Sequence, residues 1–189
     1  MRVFLIGDSI RLNSEKYVKE NLGENVHLFS PSENCESSFK VLKNIETWIG
    51  TDFFDVVHLN CGLHDVRHDL GQATPVSTQE QYFHNLEQIF GILARLDSRL
   101  IWATSTPINE TVHNEAKVSH RYLKDIIDYN AISVELAGKY GFEVNDLFQN
   151  ASAQRLGDIL LPDGIHFNEA GNRKIGKWIS NKINEISNA

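Results

Sequence analysis

Residues 3–10, Val3-Phe4-Leu5-Ile6-Gly7-Asp8-Ser9-Ile10, decide how this chain is read. Four apolar residues closed by a glycine and an aspartate form a short strand rather than a helix. Gly7 admits a tight turn, and Ser9 then stands just past the carboxyl end of the strand. A serine there is either an ordinary helix N-cap or a nucleophile. Its hydroxyl is weak at neutral pH, so the second reading needs a histidine placed to take the proton.

Four more apolar runs resemble the first: Val26 to Phe29, Val56 to Leu59, Leu100 to Thr104 and Phe142 to Val144. Between them lie helical patterns. Tyr82, Phe83, Leu86, Ile89, Phe90, Leu93 and Leu96 recur at helical spacing within Thr78 to Leu96, and Ile175, Ile179, Ile183 and Ile186 do so near the end. Weaker helices fit Ser14 to Leu22, Ser38 to Ile49 and Asn114 to Tyr140. Strands alternating with helices predict an α/β fold, a parallel sheet with helices on both faces. In such sheets the loops at the strands' carboxyl ends gather on one edge and form the binding crevice. Those loops are Gly7 to Ser9, Ser30 to Ser38, Asn60 to Asp65, Ser105 to Asn109 and the stretch from Asp146 to Phe167.

The 189 residues suit one domain spanning 1–189, and 41% apolar with 23% charged residues is ordinary for a globular protein. Eighteen basic residues against twenty-five acidic ones give a net charge of −7 with no basic cluster, which argues against a nucleic-acid partner. No apolar run approaches the ~20 residues needed to span a bilayer, so no membrane role is expected. Met1 leads straight into the first strand without a signal-peptide pattern, and the expected location is cytoplasmic. Cys35 and Cys61 are too few and too irregularly spaced for a disulfide framework and are expected as reduced thiols.

The base that Ser9 requires is offered by Leu160-Leu161-Pro162-Asp163-Gly164-Ile165-His166-Phe167, where Asp163 and His166 lie three residues apart in a loop leading into the last helix. A carboxylate so placed can hold the imidazole in one tautomer and stabilise the imidazolium that forms when it accepts a proton. Taken alone, the pair also reads as a surface turn with Asp163 capping backbone amides.

Together the Gly7-Asp8-Ser9 and Asp163-x-x-His166 segments, in this order, resemble the first and last blocks of the SGNH hydrolase family, also called GDSL esterases. The segments 100–109, 140–148 and 164–179 are similar to the family over most of the chain. The resemblance implies a three-layer α/β/α, flavodoxin-like sheet of five parallel strands in the order 2-1-3-4-5. It implies acyl transfer to water with Ser9 as nucleophile, His166 as base and then acid, and Asp163 as its orienter, without metal or organic cofactor. The substrate would be a small-molecule or carbohydrate ester, O-acetyl carbohydrates fitting the polar crevice segments best. Short-chain lipid esters or thioesters are the alternative, and a non-catalytic binding module on the same fold is a further one.

The family's oxyanion hole takes the amide of the serine, a glycine amide after the second strand and an asparagine in G-x-N-D after the third. This chain reads Gly62-Leu63-His64-Asp65 in the third block and has no glycine between Ser30 and Ser38, where rough register points to Cys35. The donor candidates are therefore the amides of Ser9 and Cys35 and the side chains of His64 and, as its rival, Asn60. His64 and His68, with Asp65 and Asp69 beside them, also have a spacing that admits a divalent metal, although a solvated turn accounts for it. The other histidines, among them His58 and His113, are expected on strand or helix surfaces.

Overall fold

The computed structural model describes residues 1–187. Five parallel strands, β1 (Arg2–Ile6), β2 (His27–Phe29), β3 (Val56–Leu59), β4 (Arg99–Ala103) and β5 (Glu143–Asn145), form one sheet in the order β2-β1-β3-β4-β5. Val3 pairs with Val56 and Ile6 with Leu59, while Leu59 pairs with Trp102. This register ends β1, β3 and β4 nearly level, so the segments after Ile6, Leu59 and Ala103 emerge side by side.

Helices α1 (Ser9–Leu22), α2 (Ser38–Ile49) and α3 (Gln79–Leu93) connect the first four strands. Beyond β4 come α4 (Glu110–Ala116) and α5 (Leu123–Lys139), then β5, the short α6 (Leu147–Ser152) and α7 (Leu156–Ile159), and α8 (Glu169–Ser187). Helices cover both faces of the sheet. On one face α8 lies along α1; on the other α3 packs between α2 and α5. Of the stripe foreseen on α3, Tyr82, Leu86, Ile89, Phe90 and Leu93 are buried, while Phe83 is half-buried and Leu96 lies past the end of the helix; on α8 Ile175, Ile179, Ile183 and Ile186 are all buried. Full burial of one such side chain contributes ~1.5–3 kcal/mol, which outweighs the differences in helix propensity along these segments. Thr78 and Gln81 close the start of α3 with a capping box.

Several sequence-based boundaries are corrected. Helix α1 begins at Ser9 rather than Ser14, because the Asp8 side chain accepts the Ile10 amide and starts the helix there. Residues 114–140 are two helices, not one. The chain leaves α4 at Ala116, and His120 forms an antiparallel bridge with His68 before α5 starts at Leu123. His58 and His113 are buried, at 2% and 1% exposure, and not on the surface. Among the described residues no helix is long and apolar enough to cross a membrane.

Candidate active site

Asp8, not Ser9, caps α1: its Oδ1 accepts the Ile10 amide at 2.9 Å, which leaves the Ser9 hydroxyl free of capping duty. As the first residue of the helix, Ser9 also has an amide with no carbonyl one turn earlier in the helix to bond.

The loop before α8 is folded by its own backbone. Leu160 bridges to Phe167, the Leu161 amide donates to the His166 carbonyl at 2.7 Å, and the Gly164 amide donates to Leu161 at 3.0 Å. Gly164 has φ +71°, and a Cβ there would lie 2.7 Å from the His113 amide nitrogen and 2.8 Å from the Asn109 carbonyl oxygen. Only glycine meets both demands. Asp163 Oδ1 then accepts the amides of Ile165 and His166 at 3.2 and 3.0 Å, so one carboxylate oxygen builds the turn and the other is left for the imidazole.

That second oxygen, Oδ2, lies 2.6 Å from His166 Nδ1, and His166 Nε2 lies 3.0 Å from Ser9 Oγ. An ionised carboxylate can only accept, so Nδ1 carries the hydrogen and Nε2 presents its lone pair to the serine hydroxyl. Burial pushes the Asp163 carboxyl up, but the hydrogen bonds from His166 and the two amides outweigh it and hold the group at about 2. The structure thus brings together the three residues that the sequence paired across 157 positions. In this arrangement the imidazole can take the serine proton while the carboxylate stabilises the resulting charge.

A pocket of about 330 Å³ opens on this group, and its lining includes Ser9, His64, Arg67, Lys117, Arg121 and His166. Of the donor candidates, His64 belongs to this lining. Asn60 does not; it donates Nδ2 to the Ala103 carbonyl at 2.8 Å. The Cys35 amide is engaged by the Gly7 carbonyl at 3.2 Å, and its one hydrogen is thereby spent. In the same segment Glu36, with φ +53°, is the one non-glycine residue in the left-handed region among those described, so the backbone position most suited to a glycine is Glu36 rather than Cys35. His64 is anchored by its neighbour. Asp65 is fully buried and accepts Ser38 Oγ at 2.5 Å, the Ser38 amide at 2.9 Å and Ser77 Oγ at 2.7 Å.

Two further residues escaped the sequence reading. His113 Nδ1 donates to the Asp163 carbonyl at 3.1 Å, and Arg121 Nη1 donates to His113 Nε2 at 3.0 Å. Arg121 Nε donates to the Leu63 carbonyl at 2.6 Å. The loop holding His64 is in this way tied to the loop holding Asp163. Nothing local announces either residue, since the contacts span 50 and 58 positions. His68, considered with His64 as a metal pair, instead meets Asp125 at 2.9 Å.

The family sequence model described as GDSL-like Lipase/Acylhydrolase matches residues 55–179. Among solved structures the chain is similar to the acetyl xylan esterase AlAXEase, with 20% identity over 97% of this chain and 100% of that one and a TM-score of 0.77. It is similar also to the lipase/acylhydrolase from Enterococcus faecalis, with 21% identity over 96% and 94% and a TM-score of 0.78. A third likeness is to an alpha/beta hydrolase enzyme from the metagenome of Lake Arreo, Spain, with 14% identity over 94% and 92% and a TM-score of 0.73. No curated protein matches the sequence.

Fold and family together define a carboxylic ester hydrolase. The chain belongs to the GDSL-like Lipase/Acylhydrolase family, the SGNH hydrolases to which its first and last motifs point.

Proposed function

We propose that the chain, acting as one domain, hydrolyses small acyl esters through an acyl-enzyme on Ser9, with O-acetyl esters of carbohydrates as the substrate class. The observation that carries this reading is the unbroken series Asp163, His166, Ser9 at 2.6 and 3.0 Å at the pocket. Ser9 Oγ attacks the ester carbonyl as its proton passes to His166 Nε2. The C–O bond to the alcohol breaks as His166 returns that proton to the leaving oxygen. Water, deprotonated by His166, then attacks the acyl carbon, and the bond to Ser9 Oγ breaks as His166 returns the proton to that oxygen, which frees the acid and restores Ser9. The Ser9 amide and His64 donate to the oxyanion in both steps.

The pocket lining supports a small acyl group. Leu63 and Ile165 are its only aliphatic residues, so a long chain has little apolar surface to follow. The acetyl xylan esterase of similar fold acts, by its name, on an acetylated polysaccharide, in keeping with a carbohydrate ester.

The test combines acyl length with loss of the nucleophile. For acetyl, butyryl and octanoyl esters of one chromophore, kcat/KM is expected to fall with length, whereas a site that buried the chain would gain ~0.8 kcal/mol per methylene. Ser9→Ala is expected to abolish turnover and labelling by a fluorophosphonate with unfolding unchanged. Rising efficiency toward octanoyl would overturn the acetylesterase reading. Wild-type turnover in Ser9→Ala would remove Ser9 from the mechanism.

A further inference from the structure

In a chain of net charge −7, three cationic side chains, Arg67, Lys117 and Arg121, line the pocket that contains Ser9 and His166. They differ in how they are neutralised. Arg67 Nε lies 2.8 Å from Asp69 Oδ1, and Lys117 Nζ lies 3.8 Å from Asp163 Oδ2. Arg121 has no carboxylate within ion-pair distance among the described residues. Its Nε and Nη1 bond a carbonyl and a neutral imidazole nitrogen, and the residue is only 6% exposed. Burial and the nearby Arg67 press the guanidinium down to about 10, still far above neutrality.

A buried, charged guanidinium without a carboxylate is costly unless something of opposite charge meets it. Asp8, the one carboxyl in the lining, is buried; its burial raises it toward the neutral form, against the pull of His64, His166 and Arg121. Two of Arg121's nitrogens are fixed by the loops on either side. The guanidinium plane is therefore set before any ligand arrives, and Nη2 is left without a protein partner among the described residues. A guanidinium held in this way, with Nη2 still to give, suits the oxygen of an acid.

Resting on the reading of Ser9 as an esterase nucleophile, we propose that the substrate carries a carboxylate near its ester group, which docks on Arg121 with Arg67 and Lys117 around it. The charge balance selects a single negative charge over a phosphate dianion, since Arg67 and Lys117 each lean on a carboxylate already. Acetylated acidic sugars are the corresponding carbohydrate class. A neutral xylan ester lacks the group that the pocket is built to meet.

The test reads binding apart from turnover. Ser9→Ala protein is titrated calorimetrically with acetylsalicylate, with its methyl ester, and with the analogue bearing phosphate in place of the carboxylate. Acetylsalicylate is expected to bind about tenfold more tightly than the methyl ester, a difference of about 1.4 kcal/mol, and at least as tightly as the phosphate. The preference should shrink at high salt and fall severalfold in Arg67→Gln and in Lys117→Gln, whose partly exposed side chains can be replaced without opening the core. Arg121→Gln should abolish it. Equal or tighter binding of the methyl ester, or a preference that survives all three substitutions, overturns the proposal. Tighter binding of the phosphate overturns the single-charge form. Wild-type hydrolysis of acetylsalicylate and of its methyl ester is measured separately: if neither is cleaved, the esterase reading fails while the binding result still decides the question of the carboxylate.

Discussion

His64 stands where the family resemblance puts an asparagine, and the physical question is whether an imidazole can do a carboxamide's work. Burial holds the His64 imidazole below the usual histidine range, with Asp8 pulling the other way. A neutral ring still has one N–H to give. Asp65 fixes the backbone beside it through Ser38 and Ser77, so that the donor would be held in place before the oxyanion forms, as such stabilisation requires. His64→Ala is therefore expected to lower kcat by ~100- to 1,000-fold, the usual effect of losing one oxyanion donor, with KM little changed. His64→Asn is expected to recover part of that loss. Asn60→Ala, which severs a bond to Ala103 instead, should affect unfolding more than kcat. Should His64→Ala keep its turnover while Asn60→Ala loses it, the donor is Asn60.

At the scale of elements, the distance between Ser9 and His166 depends on how α1 lies against α8, because one residue opens α1 and the other precedes α8 by three positions. The two helices approach so closely at Gly176 that a Cβ would lie 2.5 Å from Tyr17 Cβ and 2.9 Å from the Tyr17 carbonyl carbon. Backbone atoms cannot step aside as a side-chain tip can. Gly176→Ala should thus lose ~1–3 kcal/mol to overpacking, more than the ~1 kcal/mol that alanine gains over glycine in a helix. Gly138→Ala in α5, with nothing within 4 Å of the new methyl group, should instead gain up to ~1 kcal/mol. Urea unfolding of both variants checks the pair, and stabilisation by Gly176→Ala would mean that the helices can separate freely. The same contrast explains what was legible beforehand. The stripes on α3 and α8 and the run Val3 to Ile6 declare themselves locally, by period and by length. The break between α4 and α5 does not, for residues 117–122 contain neither proline nor glycine. It is made by Asn114, whose side chain bonds both the amide and the carbonyl of Arg121, and by Glu110, which accepts the Leu123 amide. Likewise Ser9, Asp163 and His166 could be picked out by their motifs, while His113 and Arg121 act through partners tens of residues away.

The molecule as a whole carries a titration unrelated to the pocket. His58 lies on the central strand β3, 2% exposed; its Nε2 meets Asn145 Nδ2 at 3.2 Å, and its Nδ1 has no partner among the described residues. Burial drives its pKa down from 6.5 to about 4. In the unfolded chain the same ring titrates near 6.5, so between these values the unfolded state binds more protons than the folded one, and stability rises with pH. The contribution of the neutral ring is complete above pH ~6.5 and is lost as the pH falls toward ~4, where the folded state too becomes protonated. Between pH ~7 and pH ~5 the loss from this one residue is about 2 kcal/mol, a large part of the ~5–15 kcal/mol that holds a typical domain together. His64 and His113, also held below the usual range by burial, add losses of the same sign. Subtraction isolates His58. The unfolding free energy of wild type and of His58→Gln is measured at both pH values, and the fall on acidification should be smaller in the variant by about 2 kcal/mol. The glutamine carboxamide keeps a polar group beside Asn145, so the variant's overall stability can differ without disturbing the comparison, which depends only on the slope. An equal fall in the two proteins would mean that His58 takes up its proton as readily in the folded sheet as in the unfolded chain.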